Sequence, residues 1–180
     1  PGAEYRRLPV NGIEMNALLA GEGEPVLLVH GFPDDPSVWR EQVPALVAAG
    51  YRVIAPDTRG CGDSGIPGRV ADYRVGMLVD DLRVLLDALG IARVRLVAHD
   101  WGAVIGWRFV LAHPERVDRL ILIDAAGYSY QSQSVPLAFR IARTPLINVL
   151  MRDVLPRGVV ERSLRDVYGD PTQVTPELVD

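Results

Sequence analysis

Between the apolar run Val94-Arg95-Leu96-Val97-Ala98 and a helical pattern that stops before Pro114 lies the pentapeptide Ala98-His99-Asp100-Trp101-Gly102. A nucleophile elbow has the form G-x-S-x-G, a tight strand-to-helix turn that lifts one side chain above a sheet. Its outer residues are small because larger ones would strike the neighbouring strand and helix. Here Ala98 and Gly102 are the small pair, and Asp100 stands where the nucleophile would be. A carboxylate is ionised at neutral pH without help from a base. It is a poor acyl-transfer catalyst, but it can displace a leaving group at an sp³ carbon and so form an alkyl-enzyme ester. The plainer reading is an acidic residue at a helix N-terminus, where the helix dipole favours it.

Two other strand ends carry loops that suit the same chemistry. His30-Gly31-Phe32-Pro33 closes one apolar run, and Asp57-Thr58-Arg59-Gly60-Cys61-Gly62-Asp63-Ser64 follows the next. Together, in this order, these loops resemble the α/β-hydrolase superfamily over about Tyr5 to Asp124. The Asp-Trp elbow is most similar to the epoxide hydrolase and haloalkane dehalogenase branch. The resemblance implies Asp100 as catalytic nucleophile and an oxyanion hole made from the backbone N–H groups of Phe32 and Trp101. It implies no cofactor and no metal. A histidine then activates water, which attacks the ester carbonyl while the hole holds the developing charge.

The leaving group separates the two activities. Dehalogenases bind halide with the Trp after the nucleophile and commonly with an Asn after His-Gly. Trp101 is present, but the second position is Phe32, and His30-Gly31-Phe32-Pro33 is similar to the epoxide hydrolase form. The expected function is therefore opening of small apolar epoxides to diols. Haloalkane dehalogenase is the alternative within the same class, and a non-catalytic ligand-binding member or fragment is the alternative outside it. Oxidation, as in a cofactor-independent luciferase with a related elbow, is a remote third. Epoxide hydrolases protonate the departing oxygen with cap tyrosines. The usual early position reads Pro145-Leu146-Ile147-Asn148, which leaves Tyr128, Tyr130 and Tyr168 as candidate proton donors. The stretches Asp124 to Tyr128 and Val167 to Pro171 are similar to caps of serine-type hydrolases, so a mixed lineage or a hybrid is one reading.

The superfamily places its catalytic His after the last strand, beyond residue 180 here. Of the histidines present, His30 belongs to the oxyanion loop, His99 points away from the nucleophile by strand alternation, and His113 falls at a helix end. Asp124, closing the run Leu120 to Ile123, is a candidate orienting acid, as in some dehalogenases. The chain is expected to be part of a longer protein, or to need a missing C-terminal half or a homo-oligomer partner.

These residues require a scaffold of α/β class, and the patterning supplies one. Val26 to His30, Tyr51 to Ala55, Val94 to Ala98 and Leu120 to Ile123 read as short buried strands. Helical patterns separate them: Ser37 to Ala49, about Val75 to Leu89, and Gly102 to Ala112. Strands joined by single helices give a mostly parallel sheet covered on both faces. Tyr5 to Pro9 and Ile13 to Leu19 read as an antiparallel hairpin turning at Asn11-Gly12. Trp39 and Trp107 fall on apolar helix faces and are expected in the core. Residues 1–124 are thus expected to form the N-terminal part of an α/β-hydrolase core without its C-terminal strands. Residues 125–180, with helical patterns broken by Pro136, Pro145 and Pro156, would begin a helical cap.

Composition excludes several other classes. The 19 basic and 23 acidic residues give a net charge of −4, which is the wrong sign for a nucleic-acid binder. All 19 basic residues are Arg, a hint of a GC-rich, bacterial genome. No run of about 18 apolar residues occurs, so no membrane helix is expected. Cys61 alone cannot form an internal disulfide, and a reducing, cytoplasmic setting is the default.

Overall fold

In a computed structural model of the chain, residues 2–125 are described. The expected hairpin is formed by β1 (Glu4–Val10) and β2 (Ile13–Ala20), paired from Glu4↔Leu19 to Val10↔Ile13. Asn11 and Gly12 turn it with φ of +42° and +78°, the two left-handed positions that a two-residue hairpin loop needs. The chain continues through β3 (Glu24–Val29), α1 (Gln42–Ala48), β4 (Tyr51–Pro56), α2 (Val75–Ala88), β5 (Val94–His99), α3 (Trp101–Ala112) and β6 (Val117–Ile123).

The sheet order is β1-β2-β4-β3-β5-β6, with β4, β3, β5 and β6 parallel and β2 antiparallel to β4. β3 therefore lies between the strand that follows it and the strand after that. Where the direction of winding reverses in this way, the loops at the carboxyl ends of the strands splay apart and leave a crevice. The loops after β4, β3 and β5, which carry the residues singled out above, line that end of the sheet.

Helices cover both faces. Leu27 and Val29 of β3 join Ile54, Leu96, Ala98, the apolar face of α2 and Phe109 of α3 in one core. Val26 and Leu28, one residue out of phase, pack with Trp39, Val43, Val53 and Ala55 in the other. Period-two alternation thus assigns every second residue of a fully apolar strand to a different layer.

The structure departs from the sequence expectation in three places. Residues 37–49 do not form one helix: a short 3₁₀ turn (Pro36–Trp39), capped by Asp35 accepting the Ser37 N–H at 2.7 Å, precedes α1. Pro44 explains the break, because a continuous helix would need its missing N–H to bond the carbonyl four residues back. Starting α1 at Gln42 puts Pro44 in the first turn, where no such bond is required. β6 begins at Val117, earlier than its apolar run, since polar Asp118 and Arg119 are tolerated on a strand that is paired on one side only among the described residues. Trp39 is buried as expected, but Trp107 is only half-buried. α3 is apolar around most of its circumference, so periodicity could not say which side faces inward.

Candidate active site

Asp100 adopts φ +49° and ψ −116° between β5 and α3. A non-glycine residue in that region costs of order 1–3 kcal/mol and persists only when its surroundings fix it. Its N–H donates to the Ile123 carbonyl at 3.1 Å, and its own carbonyl accepts the Ala103 N–H at 3.0 Å. Close packing completes the turn. A Cβ built on Gly102 would lie 2.3 Å from the His30 carbonyl oxygen and 2.5 Å from that of Val29. One built on Gly31 would meet Asp100 Cβ at 2.6 Å. The start of α3 thus rests on the end of β3, and the loop after β3 rests on the Asp100 side chain.

The Phe32 N–H donates to Asp100 Oδ1 at 2.9 Å. Of the residues expected to form the oxyanion hole, Phe32 is therefore brought to the carboxylate itself. Trp101 is the first residue of α3, where N–H groups have no partner within the helix. The side chains of Phe32 and Trp101 are both exposed. Asp124 follows Ile123 just as Asp100 follows His99, and those two residues are paired between β5 and β6. The two carboxylates consequently leave adjacent strand ends, where neighbouring strands are about 4.8 Å apart. Asp124 is exposed, with φ +48°. Tyr128, Tyr130 and Tyr168, with the whole segment expected to begin a cap after residue 125, lie outside the described residues.

His30 is buried in the loop after β3, and His113 ends α3 with its N–H on the Phe109 carbonyl at 2.8 Å. His99 Nδ1 lies 3.6 Å from Asp34 Oδ2. Among the described residues, no three His, Cys, Asp or Glu side chains gather as a metal site requires. No described helix is long and apolar enough to cross a membrane.

The loop after β4 is built around Asp57. Its Oδ2 accepts from Asn16 Nδ2 at 2.8 Å and from the Asp63 N–H at 3.1 Å, while the buried Oδ1 has no hydrogen-bond partner among the described residues. Burial pushes this carboxyl above its ordinary value, and the two hydrogen bonds offset only part of that. A carboxyl with a raised folded pKa favours the native state while protonated. That contribution fades as pH rises from about 4. Asp57→Asn keeps an acceptor for Asn16 and Asp63 and removes the buried charge. Urea titrations across pH should show the variant gaining stability relative to the parent as pH rises through that window. A constant difference between the two would refute the buried-charge account.

A sequence profile described as "alpha/beta hydrolase fold" matches residues 24–150. The chain belongs to this family. Among relatives, this α/β hydrolase is 46% identical over 118 residues to "Epoxide hydrolase 2" of Siraitia grosvenorii, covering 66% of this chain and 37% of that protein. It is 47% identical over 142 residues to "Epoxide hydrolase A" of Mycobacterium tuberculosis, covering 77% and 44%. Among solved structures, an epoxide hydrolase from Vigna radiata superposes with a TM-score of 0.81 at 31% identity, over 98% of this chain and 65% of that one. The α/β hydrolase described here is therefore homologous to epoxide hydrolases, and it spans less than half the length of these two curated relatives.

Three residues central to this geometry were not expected from sequence. Asp81 is buried on the apolar face of α2 and receives the Arg59 guanidinium, with Nε to Oδ2 and Nη2 to Oδ1 both at 2.7 Å. A charged residue between Leu78 and Leu82 on a helix face was the available signal. Asn16, buried on the face of β2 that also carries exposed Glu14, and Thr58, whose N–H reaches His30, left no pattern that spacing alone could reveal.

Proposed function

We propose that this α/β hydrolase opens epoxides to diols through Asp100. The observation that carries the reading is the Phe32 N–H held 2.9 Å from Asp100 Oδ1. One carboxylate oxygen is thereby oriented, and the other attacks an epoxide carbon. The carbon–oxygen bond of the ring breaks, the departing oxygen takes a proton from a cap tyrosine, and a hydroxyalkyl ester of Asp100 forms. Tyr128, Tyr130 and Tyr168 are the candidate donors.

In the second step, water adds to the ester carbonyl, whose oxygen is Oδ1. The charge that develops there falls on the Phe32 N–H and on the amide of Trp101 at the helix start. Collapse releases the diol and regenerates the carboxylate. A histidine activates this water in the mechanism proposed, a role assigned to none of His30, His99 and His113, and Asp124 is the candidate to orient it. The exposed rings of Phe32 and Trp101 beside Asp100 suit a small apolar substrate. The names of the curated relatives support an epoxide over an alkyl halide, and the single Cys61 suits a reducing, cytoplasmic setting.

Intact-protein mass spectrometry after brief exposure to a reactive aryl epoxide tests the reading. One covalent addition is expected on the parent protein and none on Asp100→Asn. A folded parent that acquires no adduct, or an adduct that persists in the Asn variant, would leave the site as a ligand pocket only.

A further inference from the structure

We propose that His30 is a positioning residue of the oxyanion hole, acting through the one peptide group that joins Gly31 to Phe32. The inference rests on Asp100 as the nucleophile. His30 is only 1% exposed. Its Nδ1 lies 2.7 Å from the Gly31 carbonyl oxygen, and a carbonyl can only accept, so Nδ1 carries the hydrogen. Its Nε2 receives the Thr58 N–H at 3.0 Å, and a backbone N–H can only donate, so Nε2 is bare. The two contacts select one neutral tautomer.

The next link is covalent. The Gly31 carbonyl and the Phe32 N–H belong to the same planar group, and among the described residues only the following bond, Phe32-Pro33, is cis. In a trans peptide the C=O and N–H point in opposite directions. Holding the Gly31 oxygen on the imidazole therefore turns the Phe32 N–H the other way, onto Asp100 Oδ1. Rotating this group by half a turn would set N–H against the Nδ1 hydrogen and carbonyl against carboxylate. Both contacts are repulsive, so His30 holds the donor in its productive direction. Thr58 transmits the constraint from the loop after β4, whose own fold depends on Asp57 and Arg59.

The test separates a positioning role from simple packing. In protein labelled with ¹⁵N-histidine, long-range proton–nitrogen spectra should report His30 with Nδ1 protonated and Nε2 bare; the opposite tautomer would overturn the proposal. The functional arm uses the Asp100 ester formed with an aryl epoxide, cleaved by added hydroxylamine. Hydroxylamine adds to the ester carbonyl, charge develops on Oδ1, and the carbon–oxygen bond to the diol breaks. The diol oxygen takes up the proton that nitrogen gives up, and a hydroxamate is left on Asp100. His30→Asn can still donate in place of Nδ1, whereas His30→Gln reaches the position of Nε2 and offers no such donor. The Asn variant should cleave within about tenfold of the parent and the Gln variant about 10²-fold more slowly, as when an oxyanion donor is lost. Equal rates in the two variants, whether parental or reduced, would overturn the assignment. If the variants do not fold, the tautomer decides. Failure of the parent to form any ester would instead count against Asp100, and the tautomer would still decide the part assigned to His30.

Discussion

Asp81→Ala is expected to lower the unfolding free energy by about 3–5 kcal/mol, the range for removing one partner of a buried ion pair. The side chains of Arg59 and Asp81 are 3% and 1% exposed. The guanidinium meets the carboxylate as a fork, and its Nη2 also donates to the Asn11 carbonyl at 3.1 Å. Asn11 Nδ2 in turn donates to Asp81 Oδ1 at 2.9 Å. Without Asp81 the buried cation retains one neutral acceptor, and its desolvation is not offset. The cost arises from that stranded charge rather than from the worth of the pair. Arg59→Met combined with Asp81→Leu should therefore recover most of the loss.

Exposed pairs provide the contrast. Arg93–Asp118 is about half exposed on each side, and breaking it should change stability by under about 1 kcal/mol. Urea unfolding of these variants decides the matter. An Asp81→Ala loss no larger than that of the surface pair would show that water reaches Arg59. The consequence extends to the site, because Arg59 ties the loop after β4 to α2 and to the hairpin turn. The adjacent Thr58 is the residue that fixes the tautomer of His30.

The distance along the chain between these partners also explains what the sequence could and could not reveal. The tight turn at Asp100, the loop after β3 and the parallel strands were legible because each is a local pattern of small residues, apolar runs and glycine stops. Strand order brought Phe32 to Asp100 as their positions after separate strands suggested. That Arg59 and Asp63 would fix the loop after β4 by hydrogen bonds was legible, but the distant partners of such contacts were not. Asn16 meets Asp57 across 41 residues and Arg59 meets Asp81 across 22, and no spacing rule links such pairs. Pro44 was a local signal that outweighed its neighbours: the apolar residues of 37–49 fit one helix, but the missing N–H divides them. The uniformly apolar α3 concealed the half-buried setting of Trp107 for the opposite reason, an excess of hydrophobic signal.

The second large effect is expected from the smallest substitution, Gly102→Ala. Replacing a helical glycine by alanine ordinarily favours the helix by about 0.5–1 kcal/mol. Gly76 offers that ordinary case at the same place in a helix: it is the second residue of α2, and a Cβ there would meet nothing within 4 Å. Gly102 is the second residue of α3, but its Cβ would stand 2.3 Å and 2.5 Å from two carbonyl oxygens of the chain leaving β3. Neither oxygen belongs to a side chain that could rotate away. The start of α3 would have to lift from the sheet, and Asp100, one residue beyond its end, would move with it. Gly76→Ala should therefore be neutral or slightly stabilising. Gly102→Ala should cost about 3 kcal/mol or more, at or above the usual range for overpacking. Where enough folded Gly102→Ala protein survives, its Asp100 should also alkylate more slowly than that of Gly76→Ala. Parallel urea titrations and adduct measurements on the matched pair decide the point. Similar behaviour of the two variants would mean that α3 is not seated on β3 as described, and that the elbow is held open by something other than the contact at Gly102.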